Sequence, residues 1–112
     1  MSYRINLTPD FERQFKRLSK KYKSLRQDLS LLLDILKNDP EQGIPLGHNI
    51  YKVRLSISSK GKGKSGGARV ITFLVRKERD VYLIYIYDKG QLDNLTKEQI
   101  SRLINNAGLD RQ

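Results

Sequence analysis

Cysteine is absent from this chain, and histidine occurs once, at His48. The lack of cysteine excludes disulfides and thiolate chemistry and fits a reducing compartment, so we expect a cytoplasmic protein. A single histidine excludes a two-histidine ribonuclease and a histidine-based metal cluster. The carboxylates form no close metal-ligand motif either, so we expect neither a metal nor another cofactor.

Long apolar runs are also missing. No stretch approaches the roughly 18 apolar residues of a membrane span, and the opening "MSYRINLTPDF" has no apolar signal-peptide core. We therefore expect no membrane partner. The apolar residues, 38% of the chain, come in periodic blocks, and 112 residues are most simply a single domain spanning 1–112.

Acidic residues are scarce: 12 Asp and Glu stand against 22 Lys and Arg, for a formal net charge of +10. A small domain this basic is drawn to polyanions. Among polyanions, nucleic acid is the first candidate partner and an acidic protein the second; an anionic membrane ranks third and is not expected as a partner. The alternative is a surface whose charges serve only solubility.

Apolar periodicity predicts the order β-α-α-β-β-β-α. The predicted strands are Tyr3–Leu7, Ile50–Ile57, Ala68–Val75 and Val81–Tyr87. The predicted helix starts are Thr8 before Pro9, a capping box of Ser24 and Gln27, and a cap of Thr96 with Gln99. Glu41–Asn49 is predicted to be a loop. The interpretation is an α+β fold in which a small antiparallel sheet packs against a helical hairpin, leaving the other sheet face open for binding.

The segment "SKGKGKSGG" between the second and third strands contains Lys60, Lys62 and Lys64 separated by glycines. It lacks the G-x-x-x-x-G-K-[ST] pattern and precedes a strand, so an NTP-binding loop is improbable. We predict a mobile basic loop whose lysines bind RNA through diffuse electrostatics.

Three further cations are predicted to lie on the sheet. Lys52 and Arg54 are two residues apart in one strand and so share a face. Arg69 begins the next strand, and a hairpin would return it close to Arg54. Such a cluster can hold a phosphate, although the same residues could simply solvate the outer face of a strand.

The element order, "IYKVRL", "GGARVITFLV" and "YLIYIYDKG" together resemble the RelE/ParE superfamily of type II toxins, over about residues 3–104. For the RelE-like branch, the resemblance implies a toxin that enters the ribosomal A site and cuts mRNA without a metal. It also implies a cognate antitoxin as partner, and the net charge of +10 favours an antitoxin with an acidic or amphipathic segment.

Matched residue by residue, the resemblance places Lys52 and Arg54 on the basic pair of the second strand and Arg69 on the arginine of the third. Lys89 lies near the basic position after the fourth strand. Arg54 and Arg69 would then hold phosphoryl oxygens, Lys52 would exchange a proton, and Lys89 or Tyr87 would assist the leaving oxygen.

The segment "DKGQLDNLTKEQI" contains neither the arginine nor the tyrosine that RelE-like members carry there. Two alternatives therefore stay open at this point. One is a ParE-like inhibitor of DNA gyrase, in which the cations contact protein. The other is an RNA- or ribosome-binding module without catalysis.

Overall fold

A computed structural model describes residues 2–60, 66–92 and 94–109. The strands are β1 (Arg4–Leu7), β2 (Ile44–Gly47), β3 (Ile50–Leu55), β4 (Ala68–Val75) and β5 (Asp80–Asp88). The helices are α1 (Pro9–Lys21), α2 (Leu25–Asn38) and α3 (Lys97–Asn106). Single 3-10 turns follow β3 at Ser58–Lys60 and join β4 to β5 at Arg76–Glu78.

The strands form one sheet in the order β1-β5-β4-β3-β2. The predicted meander is confirmed, because β3, β4 and β5 are antiparallel neighbours. The α+β class is confirmed as well. The sheet is mixed rather than purely antiparallel, since β1 pairs with β5 in parallel. Parallel pairing requires a long connection between the two strands, and the segment between β1 and β5, which includes two helices, provides it.

The helices cover both faces of the sheet, so the prediction of one fully open face is wrong. α1 and α2 bury one face, where Phe11, Leu25 and Leu36 pack against the apolar residues of the strands. On the opposite face, Ile100 and Ile104 of α3 join a second core cluster. Amphipathic periodicity reveals that α3 has an apolar stripe but does not specify which face that stripe covers.

The region predicted as a loop at 41–49 contains β2, which pairs with β3. His48 and Asn49, between the two strands, have φ angles of 55° and 65°. Positive φ at both residues of a two-residue hairpin loop is typical of a type I′ turn, which fits the twist of the flanking strands. The short exposed strand was missed because its sequence, "IPLG", contains a proline and a glycine, which normally indicate a loop.

Two of the three predicted helix caps are confirmed. The Thr8 hydroxyl accepts a hydrogen bond from the Phe11 N–H, and Thr96 forms a capping box with Gln99. The capping box at Ser24 is wrong. The Ser24 hydroxyl instead donates to the carboxylate of Asp28 at 2.7 Å. The same carboxylate accepts hydrogen bonds from Ser58 in the neighbouring 3-10 turn.

Candidate functional site

Three of the predicted site residues form a row across the sheet. Arg54 on β3 lies directly opposite Arg69 on β4, and Arg69 lies directly opposite Tyr87 on β5. Register partners project to the same face of a sheet. The neighbours of Arg54 along β3, Val53 and Leu55, are buried beneath the helical hairpin, so the row belongs to the face on which α3 packs.

Lys52 lies in the next row on the same face, opposite Ile71. It is half-buried, and its ammonium donates a hydrogen bond to the side-chain oxygen of Asn94 at 3.3 Å. Lys52 thereby connects the cationic row to the segment that leads into α3. The predicted proximity of Lys52, Arg54 and Arg69 is present in the structure, and we call these three residues the sheet cations.

Arg69 is half-buried and is oriented by the end of the basic loop. Its Nη1 donates to the carbonyl oxygens of Gly66 at 2.7 Å and Ala68 at 3.2 Å. Gly67 between them has a φ of 57°, and a Cβ there would lie 2.8 Å from the carbonyl oxygen of Leu55. The glycine is therefore required where the loop rejoins the sheet, and the turn that it permits holds the Arg69 guanidinium in place.

Tyr87 has a different character from the cations beside it. The residue is 3% exposed, and its ring packs in the core cluster beneath α3. Its buried hydroxyl has no hydrogen-bond partner among the described residues, and burial raises the pKa of this phenol, an effect that nearby Arg69 opposes. The hydroxyl is thus closed to a substrate in this conformation, and the leaving-group role remains a prediction for Lys89 and Tyr87.

Lys60 is held in place rather than extended into solvent. Its ammonium pairs with the Asp88 carboxylate at 3.2 Å, and the two side chains are 23% and 2% exposed. It also lies 5.5 Å from the centre of the Tyr22 ring, within cation–π range. The structure therefore differs from the expectation of a free loop lysine, and an RNA-binding role for Lys60 would require breaking its ion pair with the buried Asp88 carboxylate.

Asp88 is the centre of this arrangement. Its carboxylate also accepts hydrogen bonds from the Tyr22 hydroxyl at 2.5 Å and from the Gly90 N–H at 2.9 Å. Burial acts to raise the pKa of Asp88, but the hydrogen bonds from Tyr22, Gly90 and Lys60 outweigh it, and the pKa is lowered. The hydrogen bond between Tyr22 and Asp88 also raises the pKa of the Tyr22 phenol to about 12, and burial of the phenol contributes to this increase. Asp88 thus joins α1, the start of the basic loop and the segment after β5.

A second buried carboxylate fixes the same loop to α2. Asp28 accepts from the Ser58 N–H at 3.0 Å and from the hydroxyls of Ser58 and Ser24, both at 2.7 Å. The Ser59 N–H in turn donates to the Ser24 hydroxyl at 2.8 Å. Burial acts to raise the pKa of Asp28, yet these hydrogen bonds lower it on balance. These hydrogen bonds fix the described start of the basic loop, Ser58 and Ser59, to the beginning of α2.

The remaining predicted residues are less defined. The Lys89 N–H donates to the Gly67 carbonyl at 3.0 Å, which places Lys89 beside the loop end that orients Arg69. Lys62 and Lys64 lie outside the described residues. The predicted mobility of their loop concerns the same residues and stays a prediction. In the described part of the chain, no three metal-ligating side chains converge, and none of the helices there could cross a bilayer.

Sequence reasoning found the sheet cations but missed the two carboxylates, Asp28 and Asp88. Alternation along a strand predicts that Lys52 and Arg54 share a face. Asp28 lies on a helix, and Asp88 lies at the end of a strand. Acidic residues at both kinds of position usually face water. No local pattern indicates that a residue 60 or more positions away in sequence, such as Tyr22 for Asp88, completes the cluster.

Comparisons with known proteins agree with this architecture. The family model described as "RelE toxin of RelE / RelB toxin-antitoxin system" matches residues 11–109. The chain is similar to a mutant of the E. coli toxin RelE in the free state, with 17% identity, a TM-score of 0.61, and coverage of 95% of this chain and 98% of that one. It is also similar to a chain of the intact E. coli RelBE toxin–antitoxin complex, with 16% identity, a TM-score of 0.57, and coverage of 75% and 93%.

Proposed function

This chain belongs to the RelE toxin family, and we propose that, as a type II toxin, it is a metal-independent, ribosome-dependent mRNA endoribonuclease whose site is built on the sheet cations. The observation that carries the proposal is the cross-strand pair of Arg54 and Arg69, with Lys52 on the same face. Family membership and the +10 net charge support a polyanionic substrate.

The reaction would be the attack of a ribose 2′-OH on the adjacent phosphate. The 2′-oxygen forms a bond to phosphorus, and the bond to the 5′-oxygen of the next nucleotide breaks. Negative charge gathers on the phosphoryl oxygens in the transition state, and fixed cations stabilise it without reorganising. Arg54 and Arg69 would supply this stabilisation because they are held by strand backbone, and Arg69 also by Gly66.

Proton transfers require a base and an acid. Lys52 is the candidate base, since it lies one row from Arg54 and Arg69 on the same face of the sheet. Lys89, beside the loop end at Gly67, is the candidate that delivers a proton to the 5′-oxygen. Tyr87 is a weaker candidate for the same step because its hydroxyl is buried under α3.

The test is to map mRNA 5′ ends after controlled expression of the toxin, with translation active and with translation arrested by an initiation inhibitor. New 5′ ends inside coding sequences, present only during translation, are expected. Intact mRNA together with inhibited DNA supercoiling by gyrase would refute the proposal and favour the ParE-like alternative. Ribosome binding without any cut would refute it in favour of a binding module.

We further propose that the cognate antitoxin docks along α2 and the C-terminal end of β3. Leu31 and Ile35 are 60% and 50% exposed and line a groove that Arg54 also borders. An amphipathic antitoxin segment would cover the two apolar side chains and place acidic residues near the arginine. Such a partner would stabilise the toxin by mass action and lie against one of the sheet cations.

A further inference from the structure

A pocket of about 370 Å³ lies next to the sheet cations, between the β2–β3 hairpin and the start of α3. It shares Lys52 with the cationic site. Its apolar walls come from both sides of the cleft: Leu46, Ile50, Leu95 and Ile100. Its volume lies at the low end of the roughly 300–1,000 Å³ typical of small-ligand pockets, so it has room for one base and part of its sugar.

The positive charge around the pocket favours a ligand that carries negative charge. Lys52 and Lys97 stand at its rim, together with His48 and Asn94. Among the described residues that line it, none is acidic. Apolar walls with a cationic and amide rim match a nucleotide, which has a planar apolar face, polar edges and a phosphate.

Resting on the proposed function, we propose that this pocket binds a nucleobase of the RNA strand that the sheet cations hold. A phosphate at Arg54 and Arg69 is about 7 Å along β3 from Lys52, at 3.2–3.4 Å per residue. A strand that passes from the arginines towards Lys52 therefore brings its next base to the pocket entrance. The hydrogen bond from Lys52 to Asn94 joins the two parts of the site, so base recognition and phosphate binding share one residue.

The pocket can be tested separately from cleavage by NMR with the purified toxin. The methyl groups of Leu46, Ile50 and Ile100 report on the pocket, while amides of β3 and β4 report on the cations. The four nucleoside 3′-monophosphates are titrated in turn, with inorganic phosphate and the unphosphorylated nucleosides as separate arms. We expect nucleotides to shift both sets of signals and phosphate to shift only the strand amides.

Ser101 lines the pocket from α3, and Asn105 lies one turn further along the helix, outside it. Ser101→Phe should fill the pocket and abolish the methyl shifts, whereas Asn105→Phe should leave them unchanged. On translating ribosomes, Ser101→Phe should also reduce cleavage about tenfold or more, since the contact of even one methylene with an apolar pocket is worth at least about tenfold. If Ser101→Phe fails to fold, Leu46→Trp closes the pocket from the exposed strand β2.

Equal methyl shifts in the wild type and Ser101→Phe would overturn the proposal, as would methyl shifts produced by phosphate alone. Methyl shifts with an antitoxin segment but with none of the nucleotides would also overturn it and assign the pocket to protein binding. If nucleotides occupy the pocket but no mRNA is cut, the endoribonuclease proposal fails and the base pocket stands. If mRNA is cut but no nucleotide shifts the methyls, the pocket proposal alone fails.

Discussion

Arg54 and Arg69 stand directly opposite each other in the antiparallel ladder between β3 and β4. Like charges in this relationship destabilise a sheet, and Arg69 is half-buried as well. Stability alone does not favour such a pair. A bound phosphate would offset this repulsion, because each arginine would then lie near a negative charge, and this makes the pair the centre of the proposed site.

Replacing Arg54 by alanine should reduce the cleavage rate on saturating ribosomes about a hundredfold, since one lost phosphate contact costs about 3 kcal/mol in the transition state. Arg54→Lys should recover only part of the rate, because a point charge does not reproduce the guanidinium fork. Both variants should fold, since Arg54 is exposed. Cleavage is measured by primer extension on a translated message.

Lys77→Ala is the matched control, because Lys77 is an exposed cation in the turn at the other end of β4. Its removal changes the net charge equally but leaves the site intact. Equal, small losses for Arg54→Ala and Lys77→Ala would remove the case for a sheet-borne active site.

The site was predictable to the extent that local periodicity determines it. Alternation places Lys52 and Arg54 on one face, and a hairpin brings Arg69 opposite Arg54. The burial of Tyr87 was not predictable, because it depends on the docking of α3 on that face. The ion pair of Lys60 was not predictable either, because its partner, Asp88, lies 28 positions away in sequence and only the fold brings the two together. Long-range pairings of this kind leave no periodic signal.

The loop lysines should divide into two kinds. Lys60→Ala should lower the free energy of unfolding by about 1–3 kcal/mol, because it leaves the buried Asp88 carboxylate without its cation. Lys62→Ala should leave stability unchanged and reduce the salt dependence of RNA binding slightly. Urea unfolding and binding isotherms at several salt concentrations measure the two effects. An equally stable Lys60→Ala protein would contradict the structural role of the ion pair.

Tyr22→Phe and Tyr87→Phe each delete one phenol hydroxyl, and the two hydroxyls have contrasting surroundings. The Tyr22 hydroxyl donates to Asp88, so its loss should destabilise the fold by about 1–2 kcal/mol. The Tyr87 hydroxyl is buried with no partner in the part of the chain that the structure describes, so its loss should be neutral or stabilising by up to about 1 kcal/mol. Thermal unfolding compares the two variants. A large loss of cleavage in a stable Tyr87→Phe protein would instead establish a chemical role for the phenol.

Leu31→Asp should weaken antitoxin binding about tenfold or more, since a charge would be buried in the proposed apolar contact. The side chain is 60% exposed, so the isolated toxin should keep its fold and its cleavage rate. Ser30→Asp introduces the same charge at the neighbouring exposed position and serves as control. Calorimetry with the antitoxin segment measures both affinities, and identical values would place the antitoxin elsewhere.

Acid should unfold this protein through three buried carboxylates, those of Asp28, Asp80 and Asp88. Asp80 has its pKa lowered chiefly by its hydrogen bond from Arg4, and the pKa values of Asp28 and Asp88 are lowered as well. A folded-state pKa below the unfolded value of about 3.9 means that the unfolded chain binds more protons in acid. The stabilisation is therefore present at neutral pH and is lost as the pH falls below about 5 and through the folded-state values.

Asp88→Asn removes one of these groups, so its melting temperature should be lower than that of the wild type at pH 7 and should fall less steeply between pH 5 and pH 3. Asp34→Asn is the control, because Asp34 is an exposed residue on α2 whose contact with Lys37 spans 3.8 Å. Its curve should follow that of the wild type. If the Asp88→Asn and wild-type curves are parallel throughout this range, the cluster around Asp88 is not a source of the acid sensitivity.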